Sequence, residues 1–82
     1  MTNEQIDDVL KKRGFSTFTI RFKTRSPIKG LFIKTNDYAE LSRKNLWRIV
    51  SEGHIAEYSR TNDDNLARIF NGVDFTRLEN PQ

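Results

Sequence analysis

Phe18, Ile20 and Phe22 alternate with Thr19, Arg21 and Lys23, the period of two that marks a half-buried strand. Ahead of them Ile6, Val9 and Leu10 recur at helical spacing, with Thr2 or Asn3 placed to cap the helix. Glu4 and Asp7 stand near its start, Lys11 to Arg13 fill its last turn and Gly14 follows, an order that complements the helix dipole and supplies a stop. Arg25, Ser26 and Pro27 then turn the chain into a second strand, Ile28 to Lys34, and so short a connection predicts an antiparallel hairpin.

Asn36-Asp37 with Glu40 has the form of a capping box, predicting a short helix with Tyr38, Leu41 and Asn45 on one side that ends before Leu46. Leu46-Trp47-Arg48-Ile49-Val50, aromatic and β-branched, reads as a third strand. Ile55 and Tyr58 have helical spacing, but Gly53 and the polar run Ser59 to Asn65 predict a loop or one isolated turn over 52–65. The runs Leu66 to Phe70 and Val73 to Leu78 flank Asn71-Gly72, which predicts a terminal hairpin with positive φ at its turn; the first run also fits the end of a helix.

These elements make a single α+β domain over 1–82: an N-terminal helix at 1–14, a sheet or barrel at 15–78 and a frayed tail at 79–82. About five strands in a strongly bent antiparallel sheet are expected. One outcome is closure into an SH3-like or Sm-like small barrel, and the other is a flat sheet covered on one side by two helices.

Composition agrees with one compact core, since 82 residues with 35% hydrophobic positions, six Phe and one Trp can fold but leave little depth for a buried cleft. The absence of cysteine excludes disulfide and thiol chemistry. Acids precede bases in Met1 to Gly14 with no apolar run, the wrong order for a secretory signal, and no stretch has membrane-spanning length. A cytoplasmic protein with no membrane partner is expected.

Charge is distributed unevenly. Val9 to Asn36 holds eight basic residues and no acid, whereas Met1 to Asp8 holds three acids and Asp37 to Gln82 six basic against eight acidic residues. The net charge of +3 thus hides one concentrated positive field, which suits RNA, single-stranded DNA or an acidic protein surface. Arg21, Lys23, Arg25, Lys29 and Lys34 are the candidate binding residues, Arg21 and Lys23 sharing a strand face that Arg25 would continue. Phe15, Phe18, Phe22 and Phe32 interleave with these charges, but their alternation assigns them to the core, as it does Trp47.

Ile20-Arg21-Phe22 and Ile28-Lys29-Gly30-Leu31-Phe32 followed by Asn36-Asp37, together with Phe70-Asn71-Gly72-Val73-Asp74-Phe75-Thr76-Arg77-Leu78, resemble the two motifs of the Sm-like family, which includes Lsm and Hfq proteins. The resemblance covers about a third of the chain and implies a five-stranded small barrel and RNA binding. The base-holding Asn of that family corresponds to Leu41, or to Glu40 if Asn36 is the matching residue, and its second-motif Arg corresponds to Asn71. Residues that shape the barrel are therefore better represented than those that hold uridine.

No catalytic or metal pattern accompanies the basic run. His54 is the sole histidine, near Ser51, Glu52 and Glu57, and this neighbourhood supplies no positioned base with an orienting partner. Asp63-Asp64 fits a turn or a cap, and neither Gly30 nor Gly72 belongs to a phosphate-binding loop. The expectation is a non-enzymatic binding module without cofactor or metal, with RNA or single-stranded nucleic acid as the leading ligand. The rival is a protein-interaction or self-assembling module, including a homo-oligomer.

Overall fold

A computed structural model describes residues 1–81 and opens with the helix that the caps predict. In α1 (Asn3–Arg13) the Thr2 hydroxyl accepts from the Gln5 amide at 3.2 Å while the Gln5 side chain accepts from the Thr2 amide at 3.0 Å, a reciprocal capping box. At the other end the Gly14 amide donates to Leu10 at φ 82°. There follow β1 (Thr17–Phe22), β2 (Ile28–Phe32), α2 (Tyr38–Arg43), β3 (Leu46–Ser51), α3 (Glu52–Thr61), a 3-10 turn at Asp64–Leu66, β4 (Arg68–Asn71), a second 3-10 turn at Gly72–Asp74 and β5 (Phe75–Glu79). The strands form one antiparallel sheet in the order β4-β3-β2-β1-β5.

That order dictates the shape. β4 and β5 follow each other in sequence yet occupy opposite edges, and in a flat five-stranded sheet those edges would lie about 19 Å apart at about 4.8 Å per strand. The 3-10 turn that joins them advances only about 2 Å per residue, so Asn71 to Phe75 reaches about 8 Å. The sheet must curl until its edges nearly meet. Rings on non-adjacent strands accordingly touch across the interior, Phe22 with Phe70 at 6.2 Å and Phe32 with Phe75 at 6.5 Å between centroids. Among the described residues β4 and β5 do not pair, so the sheet is strongly bent and open.

The concave face carries the core: Ile6 and Leu10 of α1 pack with Phe18, Ile20, Phe32, Trp47, Ile49, Phe75 and Leu78. Val50 lies opposite Leu31 and so points the other way, and α3, which packs on β2 and β3, accounts for its complete burial. Helices therefore lie on both sides of the curled sheet.

Three expectations are corrected. Residues 52–61 form a ten-residue helix, not a loop. Ile55 and Tyr58 are its half-buried face, and left-handed Asn62 (φ 54°) ends it by donating its amide to Tyr58 at 2.7 Å. Gly53 falls in the first turn, where the helix tolerates it because packing on the sheet, more than propensity, decides the outcome. Asn71-Gly72 makes no hairpin and has no positive φ: Asn71, at φ −91°, caps the 3-10 turn by accepting from the Val73 amide at 3.0 Å. The tail does not begin at Glu79, which pairs with Thr19 inside β5; Asn80 accepts from Arg13 at 2.7 Å, and Gln82 lies outside the described residues.

Gly72 is required for closeness rather than for turn geometry. A Cβ there would overlap Asn45 Oδ1 and lie 2.5 Å from Ile6 Cδ1 and 2.8 Å from Trp47 Nε1. Its amide donates to the Asn45 carbonyl at 2.8 Å, and Asn45, itself at φ 61°, accepts from the Trp47 indole at 2.8 Å and donates to the Met1 carbonyl at 2.9 Å. Gly72→Ala should lower unfolding free energy by about 2 kcal/mol through overpacking. Gly53→Ala, where a Cβ meets open space, should raise it by about 0.5 kcal/mol. Urea unfolding of the two variants tests the contrast, and equal effects would refute this account of Gly72.

Candidate binding surface

The candidate basic residues divide by their place on the hairpin. Arg21 sits on the convex face of β1, across from Arg77 on β5, and both guanidinium groups converge on Glu79 at 2.6 and 3.3 Å. Arg21 first, and Arg77 after it, hold the Glu79 carboxyl below its ordinary range. Lys29, on the same face of β2, stands 3.9 Å from Glu52 at the start of α3. These cations are largely balanced by carboxylates from elements that the fold brings to them.

Lys34 follows the far end of β2, its ammonium 5.7 Å from the Tyr38 ring and 6.0 Å from that of Phe15. Tyr38 in turn donates to Asp7 at 2.6 Å, and its burial, reinforced by this bond, raises the phenol pKa. Lys34 therefore belongs to the junction between α1 and α2, away from the hairpin tip. The structure does not assemble the five predicted residues into one row.

Lys23 and Arg25 remain together in the turn between β1 and β2, both exposed. Among the described residues no carboxylate forms an ion pair with either. Arg25 places its guanidinium 4.9 Å over the half-buried Phe22 ring, a cation–π contact that holds the charge at the tip. The Lys23 amide donates to the Asp74 carbonyl at 3.0 Å, extending the β1–β5 pairing and tying the tip to the 3-10 turn that precedes β5. Between them lies a cavity of about 140 Å³ lined by Phe22, Thr24, Arg25, Phe70, Asn71 and Asp74. The sequence pointed to the cations, but Phe70 and Asp74 come from a segment read as a separate hairpin.

A second polar group was missed entirely. Arg48, on the convex side of β3, grips Asp37 with two bonds of 2.7 and 3.2 Å, and the Thr35 hydroxyl donates to the same carboxylate. Asp37 therefore anchors the segment before α2 to β3 instead of capping the helix through its side chain. Arg48 and then Thr35 hold its pKa at about 2. An open polar cleft of about 340 Å³ adjoins the pair, bordered by Asn36, Asp64 and Asn65. Asp37 and Arg48 already satisfy each other, so the arrangement is structural, and no signal of spacing in the sequence links positions 37 and 48.

His54 lies exposed in the first turn of α3, and among the described residues no group of three or more His, Asp or Glu side chains is placed to hold a metal. Among the same residues no helix is long and apolar enough to cross a membrane. No protein-family model, curated protein or solved structure matches the chain.

The Asp37–Arg48 pair makes a pH prediction. Because the folded-state pKa is depressed to about 2 from about 3.9, its stabilising effect is present above about pH 4 and disappears as pH falls toward 2. Replacing Arg48 with Gln should return the Asp37 pKa toward its ordinary value in a carboxyl-carbon NMR titration. The stability difference from the parent should be largest above pH 4 and shrink on acidification; a difference that grows instead would refute the linkage.

Proposed function

We propose that the protein is a non-enzymatic binding module that takes single-stranded nucleic acid, RNA foremost, across the tip of its basic hairpin. One observation carries this reading: among the described residues Lys23 and Arg25 stand exposed with no carboxylate in an ion pair with them, while Arg25 stacks on Phe22 beside a second half-buried ring, Phe70. Cations that track a phosphate backbone next to aromatic faces that receive bases are the recurring parts of single-strand binding sites. The partial likeness to the Sm-like motifs and the curled five-stranded sheet support the same reading. Arg21 and Lys29 contribute less, because Glu79 and Glu52 already neutralise much of their field.

The rival reading, a protein-interaction or self-assembling module, rests on the sheet's open edges. Near the β4 edge Ile69 and Val73 are 49% and 50% exposed, an apolar pair beside unpaired backbone that suits strand addition.

The discriminating variant is Lys23→Ser with Arg25→Ser. It should fold as the parent does, because neither side chain is buried, and bind single-stranded RNA more weakly. The slope of log K against log salt should flatten by about 0.7 for each phosphate that the variant no longer neutralises. Fluorescence anisotropy across a salt series measures both quantities. A parent protein that binds no RNA at about 50 mM salt, where attraction between charges is screened little, would remove the nucleic-acid reading.

A further inference from the structure

Single-strand binding through Lys23 and Arg25 leaves the adjoining cavity unexplained. Its walls come from three places: Phe22, Thr24 and Arg25 from the hairpin, Phe70 and Asn71 from the end of β4, and Asp74 from the 3-10 turn. The bond from the Lys23 amide to the Asp74 carbonyl fixes the mouth, and the Phe22 and Phe70 rings, 6.2 Å apart and inclined by 39°, form an aromatic wall. A volume of about 140 Å³ is on the scale of one planar ring system.

The polar groups at this wall are specific. Among the described residues no ion pair or side-chain hydrogen bond engages the Asp74 carboxylate, although it lies beside the most basic part of the chain. A carboxylate repels phosphate, so its presence does not serve backbone binding; it accepts hydrogen bonds, and two oxygens accept best from two adjacent N–H donors. Among the four bases only guanine presents such a pair on its Watson–Crick edge, N1–H and the N2 amino group, with the O6 acceptor next to them. Asn71 uses its carbonyl oxygen to hold the Val73 amide, which leaves its amide hydrogens to donate, and the Thr24 hydroxyl is a second donor for O6. Uracil offers one donor between two acceptors, while adenine and cytosine set an acceptor beside their amino group, where a carboxylate oxygen would face it unfavourably.

We infer that this cavity is a guanine-selective base site in which the Phe70 ring stacks the base beside Phe22, whose face already carries Arg25, the Asp74 carboxylate accepts from N1–H and N2–H, and Asn71 or Thr24 donates to O6. The assignment rests on the proposed nucleic-acid function, with Lys23 and Arg25 holding the flanking phosphates.

Fluorescein-labelled RNA hexamers of uridine carrying G, A, C, U or inosine at the third position test it by anisotropy. The G hexamer should bind about tenfold more tightly than the A, C and U hexamers, with inosine between them because it lacks the N2 amino group. Asp74→Asn should fold normally and bind the all-uridine hexamer more tightly, because a phosphate-repelling charge is gone, while losing the preference for G. Phe70→Leu, its fold verified by urea unfolding, should weaken the G hexamer more than the all-uridine one. Equal affinity for all five hexamers would overturn the base site and leave nucleic-acid binding standing, whereas no binding of any hexamer at about 50 mM salt would overturn both. Free guanosine should compete poorly, since it has neither flanking phosphate; competition equal to the hexamer's would replace the strand-bound base with a free nucleoside and overturn the proposal in this form.

Discussion

The fold depends on one close approach, the passage of Gly72 over Asn45, Trp47 and Ile6. Successive strands occupy the two edges of the sheet, and a three-residue turn has to carry the chain between them. Such a turn is short enough to enforce the curl only if its backbone lies directly on the core, where a methyl group at position 72 would collide with all three neighbours. Asn45 completes the contact from below, because its left-handed backbone aims one carbonyl at the Gly72 amide while its side chain satisfies the Trp47 indole. Trp47 is 2% exposed, so its N–H would otherwise be stranded in the core at a cost of about 1–3 kcal/mol. The Met1 amine donates to the Gly72 and Phe75 carbonyls at 3.0 and 2.6 Å, which adds the segment before α1 to the same junction.

Curling also sorts the charges. Arg21 and Lys29 are on the convex face, where β5 and α3 bring Glu79 and Glu52 to meet them. Among the described residues neither Lys23 nor Arg25 in the hairpin turn is held in an ion pair, so the cations there keep more of their field. Exposed ion pairs add little stability, so this pairing reduces the positive charge of the convex face more than it strengthens the fold. A run of basic residues that is continuous in sequence thus becomes discontinuous in space.

The parts of this fold that were legible in the sequence are those determined within one or two elements. Thr2, Gln5 and Gly14 define α1 locally, and the alternation from Phe18 to Phe22 defines β1 together with its inward face. Third-strand burial followed from composition, since Trp47 and Ile49 face the core while Val50 is covered from the other side. α3 was obscured because Gly53 and the polar residues after Tyr58 lower its intrinsic propensity, and its stability comes from packing on β2 and β3, which no local pattern encodes. Asn71-Gly72 misled for the converse reason. The pair does favour a tight hairpin locally, but β5 finds its partner on β1, and Gly72 is selected by the crowding of Asn45, Ile6 and Trp47 rather than by φ. Within the candidate site, Lys23 and Arg25 could be named from charge alone; Asp74 joins them through the pairing of β1 with β5, and Phe70 and Asn71 only through the curl.

The junction and the cavity share a cause. Since β4 and β5 do not pair, the curled sheet keeps a seam, and the turn that begins with Gly72 bridges that seam at one end. The hairpin tip reaches the same end, and the Lys23 amide joins it to Asp74. Complete pairing of the edges would bury Phe22 and Phe70 fully, while a flat sheet would hold them far apart. An open but strongly bent sheet leaves the two rings near each other and half-exposed. The same geometry sets the Asp74 carboxylate beside Lys23 and Arg25 while, among the described residues, no ion pair engages it, an arrangement that brings folding no pairing energy.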